Sequence, residues 1–154
     1  MAKEISKVYL SSDHAGIDLR KAVAAHLQAA GYAVEDLGPE DGMSVDYPDY
    51  GAKLAMAMNE DRQARGIAVC GSGIGISMAV NRFPWMRAAL VGDATAARLC
   101  REHNDANVLA LGQRLTGRAV AIDCVDTFMA TAFEGGRHTA RVDKLSSLGD
   151  GAGT

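Results

Sequence analysis

A chain of 154 residues, 48% of them apolar, has enough material for one packed domain. A net charge of −3 excludes the broad basic surface that nucleic acid requires, so no nucleic-acid partner is expected. No apolar run approaches the ~20 residues that cross a bilayer, and Met1–Lys7 lead into a strand-like run rather than a signal-peptide core, so no membrane partner is expected either.

Lys7–Ser12 reads as the first strand. Gly16–Ala30 carries Leu19, Val23 and Leu27 at i, i+4 and i+8, one face of a helix, and Gly31 stands where its C-cap belongs. Tyr32–Leu37 is a second strand. The connection Gly38–Asp49, with two prolines and two glycines, is long for a compact domain, and loops of that length are functional or mobile. Tyr50–Asn59 reads as a helix, and Gly66–Val69 as a third strand ending at Cys70. Gly73–Asn81 opens the next helix, and Arg87–Val91 is a fourth strand. Asp93 caps a helix to about Glu102, and Asn107–Leu111 is a fifth strand. A helix from Thr116 or Gly117 reaches about Ala132. The polar tail Phe133–Leu148 has room for one short helix, and Gly149–Thr154 reads as disordered. Residues 1–148 would then form a single domain.

Strands alternating with helices predict an α/β fold, a Rossmann-like three-layer sandwich around a five-stranded parallel sheet. Such sheets bind ligands beyond the carboxyl ends of their strands. That rule selects Asp13-His14, the Cys70–Gly75 loop, Gly92-Asp93 and Gly112–Arg114.

The segment Cys70-Gly71-Ser72-Gly73-Ile74-Gly75 is the sharpest signal. Its glycines let backbone N–H groups approach an anion, and the helix that follows adds partial positive charge. Together they make a cradle for a phosphate or a developing oxyanion; the alternative is a tight turn with nothing bound. Three other loops are excluded by letter. Ile76 replaces the Lys of a Walker A loop, the third glycine comes one residue early for GxGxxG, and Ile76 replaces the Arg of a Cys-x5-Arg loop.

Cys70 at the strand end sits where an anion is favoured, so its sulfur can act as nucleophile or base. The three cysteines, Cys70, Cys100 and Cys124, follow no CxxC or disulfide pattern, as for free thiols in a reducing cytoplasm. Cys100 and Cys124 fall inside helix patterns and read as small buried hydrophobes. Asp13 and His14 could handle protons on sugar-like hydroxyls, or be a cap and a surface imidazole. His103-Asn104 joins a helix to the amino end of the fifth strand, the wrong edge for the same chain's site, although it could reach a neighbouring subunit's. His26 reads as a helix-surface residue. Arg137, His138 and Arg141 form a basic knot, and arginines at i and i+4 suit phosphate. Arg114 is a further candidate cation.

Six blocks together give the chain a family likeness from Val8 to about Leu145. They are Ser12-Asp13-His14-Ala15-Gly16, Asp46-Tyr47-Pro48, Cys70–Gly75, Arg87-Ala88-Ala89-Leu90, His103–Leu109 and Phe133-Glu134-Gly135-Gly136-Arg137. In these the chain resembles the type B ribose-5-phosphate isomerase family, which includes galactose-6-phosphate and allose-6-phosphate isomerases. The resemblance implies an aldose–ketose isomerase that interconverts ribose 5-phosphate and ribulose 5-phosphate through an enediolate, without metal or organic cofactor. Cys70 would carry the proton; members lacking this Cys use a Glu further along, where this chain has only small or apolar residues within Ile74–Ala79. Ser72 would stand beside the reacting end. Gly71, Gly73 and Gly75 would hold the oxyanion, and His103 would open the ring with Asn104 beside it. Asp13 would bind or deprotonate hydroxyls, while His14, Arg114, Arg137 and Arg141 would hold the phosphate. The family's site lies between subunits, which implies a homodimer or tetramer. Other phosphorylated aldoses, including allose 6-phosphate, galactose 6-phosphate and tetrose phosphates, or binding without catalysis, are the alternatives.

Overall fold

Strands β1 (Val8–Ser12), β2 (Val34–Asp36), β3 (Arg65–Cys70), β4 (Ala88–Leu90) and β5 (Val108–Gly112) pair in parallel in the order β2-β1-β3-β5-β4. They belong to a computed structural model that describes residues 4–149. The helices are α1 (Ile17–Ala29), α2 (Tyr47–Met58), α3 (Ile74–Val80), α4 (Ala94–Asn104), α5 (Arg118–Ala130) and α6 (Thr139–Ser147).

Alternation along the strands sorts the side chains into two cores. Val8, Leu10, Ile67, Val69, Leu109 and Leu111 face α1, α4 and α5, where Leu27, Cys124 and Phe128 close the layer. Ala68, Cys70 and Val108 face α2 and α3 through Leu54, Met58, Ile76 and Val80. The expected three-layer sandwich is thus realised, with the thiol of Cys70 on the α2–α3 side. Among the described residues no helix is long and apolar enough to cross a membrane.

The element bounds differ from the sequence reading for identifiable reasons. β2 and β4 are shorter than expected because they are the sheet edges, each with one neighbour to extend the ladder. Helix α2 begins at Tyr47, not Tyr50. Asp46 caps it in an extended conformation, and Pro48 sits in the first turn, where its missing N–H has no partner to lose. The tail forms a 3-10 turn, Gly136–His138, that runs into α6. Gly149 lies in a turn; the rest of the tail expected to be disordered, 150–154, lies outside the described residues.

The long connection after β2 is tied down. The buried Arg20 of α1, 2% exposed, donates to Ser12 Oγ and to the Pro39 carbonyl, and its Nε lies 3.0 Å from Asp36 Oδ1. Further on, Lys21 meets Asp41 at 2.6 Å. His14 Nδ1 lies 2.9 Å from the Val45 carbonyl and 3.2 Å from the Val45 N–H, so either tautomer binds this residue.

Candidate active site

The sheet order reverses beside β1: the connection from β1 leads through α1 to β2 on one side, and the next, from β2 through α2, crosses back to β3 on the other. That reversal opens a crevice at the carboxyl ends of β1, β3 and β5. A cavity of about 300 Å³ lies there. Its lining includes Asp13, His14, Cys70, Gly71, Ser72, Gly75 and Arg114, all expected from the sequence, together with Tyr47.

Local bonding fixes each of these. The Asp13 N–H donates to the Val69 carbonyl at 3.1 Å, and its buried carboxylate accepts from the Ala15 N–H at 2.9 Å. Beyond β5 the chain keeps pairing with the thiol loop: Gln113 N–H donates to the Cys70 carbonyl and Arg114 N–H to that of Gly71, at 3.0 and 2.9 Å. Arg114 is thereby laid along Gly71, and among the described residues it is the one guanidinium or ammonium in the lining.

Cys70 is 4% exposed, and its sulfur accepts the Gly73 N–H at 3.1 Å. That bond fixes the sulfur at the carboxyl end of β3. Gly73 has φ +77°, and a Cβ there would lie 2.5 Å from Leu90 Cδ1, so both the turn and the packing require glycine. Ser72 Oγ accepts from the Ile74 N–H at 3.2 Å. Among the described residues, the N–H groups of Gly71 and Ser72 have no protein acceptor, and both residues line the cavity. They are donors available to a developing oxyanion. Cys100 and Cys124 lie in the other core. Burial pushes the Cys100 thiol up to about 11 and raises Cys124 as well, as expected for packing residues.

The remaining expected residues are elsewhere. Helix α4 ends at Asn104, and Asp105 closes it at φ 47°, so His103 and Asn104 stand at the amino edge of the sheet. His103 is half-buried and stacks on His138, ring centroids 4.5 Å apart. The tail is held against α4 by Glu134 N–H donating to the Glu102 carbonyl at 3.1 Å. Arg137 and Arg141 are exposed beside His138, one in the 3-10 turn and the other in α6, rather than on one regular helix. Burial lowers the His138 pKa, and the charges of His103, Arg137 and Arg141 lower it further, against Glu134. His138 Nε2 is buried without a hydrogen-bond partner, 3.5 Å from Glu134 Oε2. The ligand atoms of His103, Glu134 and His138 lie within 4.8 Å of one another. The two rings are stacked, 14° from parallel, so their nitrogens lie in two separate parallel planes.

Two residues escaped the sequence reading of the site. Tyr47 was visible within Asp46-Tyr47-Pro48, but only its place in the first turn of α2 puts the ring in the cavity. A Cβ on Gly75 would lie 2.7 Å from that ring, so Gly75 is also the seat of Tyr47. His138 was visible as part of a basic knot, without any sign of its burial. Gly92-Asp93, selected by the strand-end rule, serves α4 instead: Asp93 Oδ1 accepts the Ala96 N–H at 2.7 Å.

Known proteins resemble this chain along almost its whole length. Ribose-5-phosphate isomerase B of Escherichia coli K12 is 38% identical over 144 residues, 94% of this chain and 97% of that protein. The structure of ribose-5-phosphate isomerase B from Clostridium thermocellum superposes with a TM-score of 0.91 at 46% identity, covering 94% of this chain and 97% of that one. That of Mycoplasma genitalium ribose-5-phosphate isomerase B with bound ribulose-5-phosphate gives 0.87 at 37% identity, covering 94% and 97%. Residues 8–145 match the family described as Ribose/Galactose Isomerase, and the chain belongs to that family.

Proposed function

We propose that this protein interconverts ribose 5-phosphate and ribulose 5-phosphate, with Cys70 as the base. The observation that carries the proposal is a sulfur oriented by the Gly73 N–H at the floor of a cavity whose lining includes the Gly71 and Ser72 N–H groups and Arg114. An aldose–ketose shift needs one base to take a proton from C2 and return it to C1, and donors to stabilise the enediolate between those events. Cys70 supplies the base and the loop N–H groups supply the donors. Ser72 stands beside the reacting carbons. Asp13 binds or deprotonates sugar hydroxyls, and His14 and Arg114 reach toward the phosphate. The phosphate, remote from the reacting carbons, lends binding energy that aligns them.

The second group, His103, Asn104, Arg137 and Arg141, completes the cavity of another copy. Ring opening by His103 and phosphate binding by the two arginines then require at least a homodimer. The buried, unbridged thiols suit a reducing cytoplasm. Incubating the purified protein with ribose 5-phosphate and measuring ribulose 5-phosphate tests the reaction. Absence of product, with allose 6-phosphate or galactose 6-phosphate converted instead, would move the assignment to a six-carbon substrate.

A further inference from the structure

A second cavity, of about 320 Å³, opens at the amino edge of the sheet, away from the thiol. Its walls carry four arginines, Arg62, Arg65, Arg87 and Arg101, and two carboxylates, Glu4 and Asp105. Asp105 is already engaged. Its Oδ1 accepts from Arg101 at 2.8 Å and its Oδ2 lies 3.5 Å from Arg87. Arg101, 2% exposed, also donates from Nε to the Thr131 carbonyl and from Nη1 to the Ala106 carbonyl. Arg65 and Arg62 make no ion pair among the described residues. Arg65 Nη1 makes one long hydrogen bond, 3.3 Å to the Ala64 carbonyl, while its Nε is buried without any partner.

Half-buried guanidinium groups crowded together are costly unless each finds an anion. Burial, then repulsion from Arg101 and Arg87, brings Arg65 down to about 10 against the opposing charge of Asp105, and burial with repulsion from Arg101 and Arg62 lowers Arg87, again against Asp105. One oxyanion in the cavity would offset the repulsion among the cations that line it. Guanidinium forks match tetrahedral oxyanions bidentately, and a cavity at the lower end of the usual ligand range admits a small one.

We propose that this cavity is a binding site for a small phosphate-bearing anion, held by Arg65 and Arg62 with Arg87 behind them. The site is independent of the thiol cavity and of the reaction proposed for it.

The test is calorimetric titration of the whole protein with pyrophosphate, in the wild type and in Arg65→Met, Arg62→Gln and Arg114→Ala. Arg65→Met should weaken binding at least about tenfold, the value of one charge-assisted contact. It should leave ribose 5-phosphate turnover in anion-free buffer unchanged. Arg62→Gln, on the exposed rim, should weaken binding without threatening the fold, which keeps the proposal testable if Arg65→Met does not fold. Arg114→Ala should leave this binding intact. Binding that vanishes with Arg114→Ala yet survives Arg65→Met or Arg62→Gln would place the anion in the thiol cavity and overturn the proposal. A change of sedimentation in Arg65→Met without loss of pyrophosphate binding would also overturn it, by assigning the cations to a subunit contact.

Discussion

His138 lies flat against His103, with ring centroids 4.5 Å apart and planes 14° from parallel. Burial and the neighbouring charges hold His138 below its ordinary value of 6.5, so the folded protein favours the neutral ring more than the unfolded chain does. The stability this contributes is complete above pH 6.5 and is lost as pH falls through the unfolded value toward the lower folded one. Denaturant midpoints measured between pH 7.5 and 5 should therefore fall, and the fall should be shallower in His138→Gln. Equal slopes in the two proteins would show that His138 does not carry the effect.

Cys70→Ala is expected to lower kcat by about a hundredfold to ten-thousandfold, the usual contribution of a positioned base. Calorimetry should still detect ribose 5-phosphate binding. Cys70→Ser should be severely impaired too, since a hydroxyl is a far weaker base at neutral pH. Near-normal turnover in either variant would remove Cys70 from the reaction.

Gly75→Ala places a methyl group where the Tyr47 ring now lies, 2.7 Å from its nearest atom. The ring must swing away, and activity should drop with little change in global stability. Because the two residues share one space, Tyr47→Ala and Gly75→Ala should be strongly non-additive. A double variant whose loss in kcat/KM equals the product of the single losses would argue against the interlock.

Tyr47 also marks a limit of sequence reading. Proline is the usual sign of a break, and Pro48 suggested that the connection continued to Asp49. Only the local dihedrals distinguish a proline that ends a loop from one that begins a helix. The thiol loop, by contrast, was legible because strand, glycines and helix are adjacent in sequence. His138 was opaque for the opposite reason. Its burial comes from Glu134 meeting α4 through the Glu102 carbonyl, a contact between segments that periodicity cannot pair. Asp13, His14 and Arg114 fell between these extremes, since the strand-end rule selected their places without giving the side chains' aim.

Mixing two inactive proteins, Cys70→Ala and His103→Ala, should restore activity. Random exchange of subunits gives hybrids in which one cavity has an intact thiol and an intact His103. Half of the chains enter hybrids at equal mixing, and each hybrid dimer carries one complete site of two. Recovery to roughly a quarter of wild-type turnover is therefore expected. No recovery after demonstrated exchange would mean that each chain completes its own site.

Arg137→Ala is expected to raise KM for ribose 5-phosphate by about tenfold to a hundredfold, from a charge-assisted contact of roughly 1.5–3 kcal/mol. Free ribose, which offers no phosphate, should be affected much less. Arg141→Ala should behave similarly. Unchanged KM in both variants would show that these exposed side chains are a solvated segment.

Arg20 joins the end of β1, the end of β2 and Pro39 through one buried guanidinium. The chain from Asp36 to Val45 is thus fastened at its start by α1 and near its finish by His14, and it leads into Tyr47, which lines the cavity. In the proposed dimer a second copy would close the cavity that Arg114 and Leu115 help to line. Traffic through the site would then be governed by motion between subunits. Slowing that motion with a crosslink placed away from every site residue should slow exchange of substrate and product while leaving the proton-transfer step itself intact.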